Sequence, residues 1–294
     1  SEACDKAISL KPEYAEAYYN KGNTLHELKR HDEAIAHFDK AISLKSDDPE
    51  TYWNKSLTCL MLGDFEQGWS LYESRWQRET FTSVKREFSA PRWTGHEPLK
   101  DKSILLYGEQ GLGDIIQFCR YVSSVAALSA KVVLEVPHPL VDLCKTLEGV
   151  SIIVTYGLPL PEVDFQCPLM SLPFAFGTTL STIPGVEQYL RSDQAKVALW
   201  QDRLGEKASP RVGLVWSSIS KFRDDARRSL ALAQFIEALP TEGFEYICLQ
   251  KEIKESDKQV LASRPDIRFF GDFLHGMSET AALIACTDVV ISTC

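Results

Sequence analysis

The heptapeptide DKAISLK stands at residues 5–11 and again at 39–45, and this 34-residue shift constrains the fold more than any other feature of the chain. The correspondence runs on: Tyr18 maps to Tyr52, Asn20-Lys21 to Asn54-Lys55, Leu28 to Leu62 and Phe38 to Tyr72. Within one period, Tyr18, Gly22, Leu25, Ala34, Phe38 and Ala41 place aromatic and small residues on facing sides of two helices, and the small ones permit close approach. A single unit of this size cannot bury its own apolar face, so units must stack.

Period and pattern together resemble the tetratricopeptide repeat, with Pro12 at the inter-repeat proline position and Ser46 as its counterpart in the next unit. The second full unit departs from the pattern at Ser56 and Gly68 yet still reads as a helix pair, and residues before Ala15 supply only the second helix of another unit. About three units are usually needed for stability, so residues 1–76 read as part of a longer array. Such repeats are scaffolds that bind peptides or partner domains, and a protein partner is the expectation for them here. Residues 77–101 lose the period and gain prolines and basic residues, reading as a linker packed on the domain after it.

From residue 102 the pattern changes to short apolar runs alternating with helical ones. SILLY (103–107), KVVLEV (131–136), SIIVT (151–155) and VDFQ (163–166) are strand-like, and LVDLCKTLE (140–148) is helix-like. A second series starts at Arg211: RVGLVWS, LALAQFIEAL, FEYICLQ, IRFFG, SETAALIACT and VVIST. Each series predicts a parallel sheet wrapped by helices, which places Rossmann-like domains at 102–195 and 210–294, with ligands expected beyond the carboxyl ends of the strands.

The chemistry is expected at GEQGLGDIIQF, 108–118, which reads as strand, glycine turn, helix, with Ile115, Phe118, Val122 and Val125 at helical spacing. Gly108, Gly111 and Gly113 would allow left-handed or crowded backbone, and Asp114 falls at a helix mouth that favours an anion or can hold a phosphate. The same Asp is equally readable as a helix cap. The spacing G-x-x-G-x-G is not the dinucleotide fingerprint, and no Gly-Lys-Ser/Thr comes after it to make a P-loop. The loop QCPLMSLPFAFGTTLSTIPG, with its tip at Gly177-Thr178-Thr179, reads either as a connection or as a substrate wall. Between Arg211 and Ser229, five basic residues oppose two acidic ones in a chain of net charge −9, which suits a phosphate ligand or a solvated loop.

These blocks, GEQGLGDIIQF, DFQCPLMSLPFAFGTTLSTIPG, VGLVWSSISKFRDDARRSL, CLQK and TDVVISTC, resemble in order and spacing the tetratricopeptide-linked glycosyltransferases that look like ADP-heptose:lipopolysaccharide heptosyltransferases, glycosyltransferase family 9. The resemblance implies a GT-B fold: an acceptor domain, a nucleotide-sugar domain and a cleft between them, coming after the helical repeats as α plus α/β. It implies inverting, metal-independent transfer of a hexosyl or heptosyl group from a nucleotide-diphosphate sugar to a glycan, lipid-linked or protein acceptor. Asp114 falls on the family's proposed general base, with Gly111 and Gly113 in its turn. Ser217, Ser218, Lys221 and Arg223 fall on the loop meeting the donor diphosphate, Gln250 and Lys251 near the nucleotide, and Met277 near its base. Asp224-Asp225-Ala226 departs from the family's Asn-Asp before Arg-x-Arg-Ser, and Cys294 falls where the heptosyltransferases have an aspartate. The family continues past VVIST, so a C-terminal domain incomplete at Cys294 and an array that begins mid-repeat are expected. Two other readings stay open: a catalytically inactive repeat adaptor, and a protein O-glycosyltransferase.

Composition sets the outer bounds. With 44% hydrophobic and 25% charged residues the 294-residue chain can bury a substantial core. No apolar run reaches a membrane span and no signal peptide opens the chain, so a cytoplasmic location is expected. The eight cysteines include no C-x-x-C pair, which points to reduced thiols and no metal site. Net negative charge argues against nucleic acid as partner. No cofactor is expected beyond the donor substrate.

Overall fold

The computed structural model describes residues 2–81, 83, 85–185, 188–218 and 228–293. The chain divides into two compact units, Ser1–Val136 with Gly149–Glu187, and Pro137–Glu148 with Gln188–Cys294. This division differs from the four segments expected from sequence. The repeats and the first sheet lie in one unit, and a short stretch, 137–148, goes with the second.

The first unit begins with helices α1 (Glu2–Leu10), α2 (Ala15–Glu27), α3 (His31–Leu44), α4 (Pro49–Leu62) and α5 (Phe65–Tyr72), then a 3-10 turn, Glu73–Gln77. The period is visible as packing. A Cβ on Gly22 would lie 2.6 Å from the buried ring of Phe38, so only glycine lets α2 and α3 close. The two departures from the repeat pattern are accommodated in the same way. Ser56, at the position of Gly22, is buried and donates its hydroxyl to the Trp53 carbonyl at 2.7 Å. Gly68, at the position of Ala34, has the Leu60 side chain 2.7 Å from where a Cβ would sit. An ion pair repeats with the period as well: Lys21 to Asp5 and Lys55 to Asp39, both at 2.6 Å.

The first sheet is formed by β1 (Ser103–Tyr107), β2 (Lys131–Val136), β3 (Val150–Thr155) and β4 (Phe165–Pro168) in the order β3-β2-β1-β4, all parallel. Ile104 is in register with Val132 on one side and Phe165 on the other. Between β1 and β2 run α6 (Leu112–Phe118), one 3-10 turn and α7 (Val122–Ala126). The single helix expected over this stretch is therefore broken at Cys119–Tyr121, although Ile115, Phe118, Val122 and Val125 are all buried as expected. Alternation along the strands sends Leu105, Tyr107, Val133 and Val154 to one face, where Trp76 and Phe88 pack on them. Parts of the segment 77–101 pack on this sheet, as expected: Arg92 bridges to Gln166 at the sheet edge, Trp93 is buried with its ring edge-on to Phe176, and Leu99 is buried.

In the second unit, α8 (Val141–Cys144) packs with α13 (Met277–Ile284). Its sheet is β5 (Arg211–Val215), β6 (Glu245–Cys248), β7 (Ile267–Phe269) and β8 (Val289–Ser292), parallel in the order β7-β6-β5-β8. One face carries Ile247 and Leu249 against Val197, Trp200 and Leu204 of α10 (Gln194–Leu204) and Ala282 and Leu283 of α13. The other carries Val212, Leu214, Trp216, Tyr246 and Cys248 against Phe235 and Ile236 of α11 (Leu232–Glu237) and Val260 and Leu261 of α12 (Glu255–Ala262). The domain boundary expected at residue 195 falls inside α10, whose N-cap Asp193 accepts from the amides of Ala195 and Lys196. The β8 side chains Val289, Val290 and Ile291 are exposed, whereas the preceding helix α13 is anchored by buried Ala282 and Leu283.

Candidate functional site

Both sheets have the topology that leaves a crevice at the carboxyl ends of neighbouring strands whose connections depart in opposite directions. In the first sheet the chain leaves β1 for β2 and β3 and returns to β4 on β1's other side, so the crevice lies beyond Tyr107 and Pro168. The glycine turn fills one wall of it.

The turn is built differently from what its glycines imply. The residue with positive φ is Gln110, at +61°, while Gly111 is extended with φ −89°. Gly108 is needed for space: a Cβ there would lie 2.4 Å from Ile115 Cδ1 and 2.7 Å from the Tyr156 hydroxyl, which donates to the Gly108 carbonyl at 2.6 Å. Gly113 faces open space, inside the first turn of α6. Gly111 is the N-cap, and Asp114 occupies the third helical position. Its Oδ2 accepts the Gly111 amide at 2.9 Å, the reciprocal half of a capping box. The residue is half-buried. The cap reading of Asp114 is therefore realised in this bond.

Next to it lies a group the sequence reading did not single out. Glu109 is buried, and its Oε1 accepts from Arg75 Nη2 at 2.7 Å and Nε at 3.1 Å. Arg75 is fully buried and also donates to Ser171 Oγ at 2.6 Å and Glu73 Oε1 at 2.8 Å. Arg92 completes the cluster on Glu73 and Ser171. Burial pushes the Glu109 carboxyl up to about 7, against the downward pull of Arg75, and its Oε2 has no hydrogen-bond partner among the described residues. The loop after β4 is core rather than an open wall as far as Pro173. Thr178 is buried, with its hydroxyl 3.0 Å from that of Tyr121, so of the expected tip only Gly177 and Thr179 are exposed. A cavity of about 790 Å³ opens between α5 and this loop, lined by Phe65, Trp69, Leu71, Phe174, Thr178 and Thr179 with Asp64 and Glu66 at its rim.

In the second unit Ser217 and Gln250 come after neighbouring strands β5 and β6 and meet. Gln250 Oε1 accepts the amides of Trp216 at 2.8 Å and Ser217 at 3.1 Å, so those two N–H groups are occupied by protein. The Ser218 amide is held by Ser229 Oγ at 3.3 Å. Trp216 is buried and donates Nε1 to Asp257 at 2.9 Å. Lys251 is exposed, and Met277 is half-buried at the start of α13. Lys221 and Arg223, and with them Asp224, Asp225, Ala226 and Arg227, lie outside the described residues, as does Cys294. Among the described residues no group of His, Cys, Asp and Glu could hold a metal ion, and no helix is long and apolar enough to cross a membrane. Of the cysteines, Cys59, Cys119, Cys144, Cys167 and Cys248 are buried; burial pushes the Cys144 and Cys248 thiols up to about 12.

Residues 15–48 match the tetratricopeptide repeat family. Protein FlbA of Caulobacter vibrioides is 24% identical over 313 residues, covering 98% of this chain and 52% of that protein. The chain thus spans about half the length of this curated relative. A solved mutant O-GlcNAc transferase of Thermobaculum terrenum aligns over 92% of this chain and 71% of its own, at 10% identity and a TM-score of 0.26. At that score the likeness is no basis for fold or function.

Proposed function

We propose that the chain is the repeat-linked part of a glycosyltransferase of GT-B type that moves a sugar from a nucleotide-diphosphate donor to a glycan, lipid-linked or protein acceptor. The observation that carries this reading is Asp114, half-buried in the first turn of α6 that comes after β1, at the edge of a parallel sheet where such sheets take ligands. In this reading the carboxylate removes the acceptor proton as the acceptor oxygen attacks the anomeric carbon and the nucleoside diphosphate departs, an inverting displacement. Ser217, Ser218, Gln250, Lys251 and Met277 belong to the donor side, with Lys221 and Arg223 as cations offsetting the leaving group's charge. Because Gln250 already occupies the Trp216 and Ser217 amides, the donor oxygens in this scheme rely on the serine hydroxyls and the basic residues instead. A screen of the full-length protein against nucleotide sugars by mass spectrometry tests it. Asp114→Asn keeps an acceptor for the Gly111 amide, so folding is expected to change by less than about 0.5 kcal/mol while transfer falls by roughly two orders of magnitude.

A second reading, a partner-binding adaptor, is favoured by the repeat match at 15–48 and by the capping bond of Asp114. No turnover by the wild-type protein with any donor supports that reading instead, whereas unchanged turnover in Asp114→Asn reduces Asp114 to a cap.

A further inference from the structure

The crevice between β1 and β4 is where a doubly wound sheet ordinarily receives a ligand, and here a side chain from outside the sheet enters it. Arg75 lies on the 3-10 turn that ends the repeats, yet its guanidinium joins Glu109, two residues past β1, to Ser171, three residues past β4. The rings of Tyr72 and Trp76 each lie 4.8 Å from the guanidinium carbon, so its charge is held by aromatic faces as well as by carboxylates. The next residue in the turn is fixed from the same direction: Gln110 Nε2 donates to the Tyr72 hydroxyl at 3.1 Å, and the Gln110 amide to Ser83 Oγ at 2.8 Å. Gln110 needs such support, because φ of +61° is a conformation that residues other than glycine rarely adopt. One residue later Gly111 makes its bond to Asp114.

We propose that Arg75 and Glu109 are positioning residues for Asp114, so that the last turn of the repeat array is a built-in part of the transfer site. The proposal rests on the reading of Asp114 as the group that deprotonates the acceptor. The buried pair fixes the backbone at 109, the Tyr72 and Ser83 bonds fix it at 110, and the strained turn between them sets where the Asp114 carboxylate stands. A freely tethered repeat domain has no use for a fully buried arginine at the far end of a contact spanning 34 residues.

The test combines hydrogen exchange with turnover in the full chain. In Arg75→Met, exchange at the amides of Gln110, Gly111 and Ile115 is expected to accelerate about tenfold or more, while amides within α2, α3 and β1 keep wild-type rates. Tyr72→Phe removes only the hydroxyl that accepts from Gln110, and a smaller acceleration confined to the same amides is expected. It serves as the decisive variant if Arg75→Met does not fold. Glu109→Gln keeps an acceptor for Arg75 and is expected to retain most of the protection. Release of nucleoside diphosphate from UDP-, GDP- and ADP-sugars is measured in parallel. A fall in kcat of about tenfold or more with an unchanged donor KM is expected for the loosened variants. Wild-type exchange at 110–115, a uniform rise across the whole unit, or a loosened turn with normal kcat each overturns the proposal. Failure of the wild-type protein to turn over any donor sinks the glycosyltransferase reading, and with it the catalytic part of the proposal, while the exchange arm still decides whether the repeats hold the turn.

Discussion

Replacing Arg75 by Met is expected to destabilise the first unit in a pH-dependent way, and the structure gives both size and sign. The guanidinium is fully buried and is the hydrogen-bond partner of a buried carboxyl, so at alkaline pH its removal forces Glu109 either to stay charged without compensation or to take up a proton on folding. Breaking one partner of such a pair costs about 3–5 kcal/mol. Glu73 keeps Arg92 as partner, so the penalty falls mainly on Glu109. Burial already places the folded-state value of Glu109 at about 7, above its ordinary 4.5, and without Arg75 it moves further up. A carboxyl raised on folding contributes stability in full below 4.5 and loses it as pH rises through the folded value. At pH 5.5 Glu109 is therefore mostly protonated in both proteins. The variant then lacks the guanidinium's bonds to protonated Glu109, to Ser171 and to Glu73, which keeps Arg92, together with its aromatic contacts, about 1–3 kcal/mol in all. Other carboxylates titrate alike in both proteins and cancel in the difference. Urea unfolding monitored by tryptophan fluorescence is suitable, since Trp53, Trp69, Trp76 and Trp93 all lie in this unit. A destabilisation at pH 8 that exceeds the one at pH 5.5 by less than about 0.5 kcal/mol would refute the argument that Glu109 bears the orphaned charge.

Two further substitutions probe the packing of the repeats and of the second sheet. Gly22→Ala forces a methyl to within 2.6 Å of the buried Phe38 ring and is expected to cost about 1–3 kcal/mol in urea melts, despite alanine's better helix propensity; an unchanged midpoint would show that α2 and α3 can move apart freely. Gln250→Met leaves the amides of Trp216 and Ser217 without an acceptor and is expected to cost about 2–5 kcal/mol in the second unit, read from the exchange rates of β5 amides; wild-type rates there would mean that water replaces the side chain.

The parts of this fold that were legible in the sequence are those governed by local spacing. The repeat shows in the spacing because Gly22 and Phe38, or Lys21 and Asp5, meet through helix periodicity and one short turn. The strands likewise appear as apolar runs, most fully the inner strands β1, β2, β5 and β6, which are covered on both faces. Helix α10 carries an equally plain signal, with Asp193 as cap, Val197, Trp200 and Leu204 on one face and Gly205 as stop; a domain boundary drawn at 195 passes over it. The glycine turn is legible as a turn, but its conformation is not. A sequence reader assigns the left-handed backbone to a glycine, whereas the structure gives it to Gln110, whose neighbours hold it there.

That exception explains why the buried half of the site stays hidden. Glu109 in GEQGLGD looks like a polar turn residue, and Arg75 in YESRW looks like the solvated end of a helix. Neither has a local reason to be buried; each is buried because of the other and because Ser171, 96 residues from Arg75, closes the crevice above them. Leaving water costs such charges several kcal/mol each, and the attraction between them returns that only when the geometry is good. An arrangement of this kind holds orientation at the expense of stability. For Asp114 in the base role proposed above, orientation is the property that transfer would require.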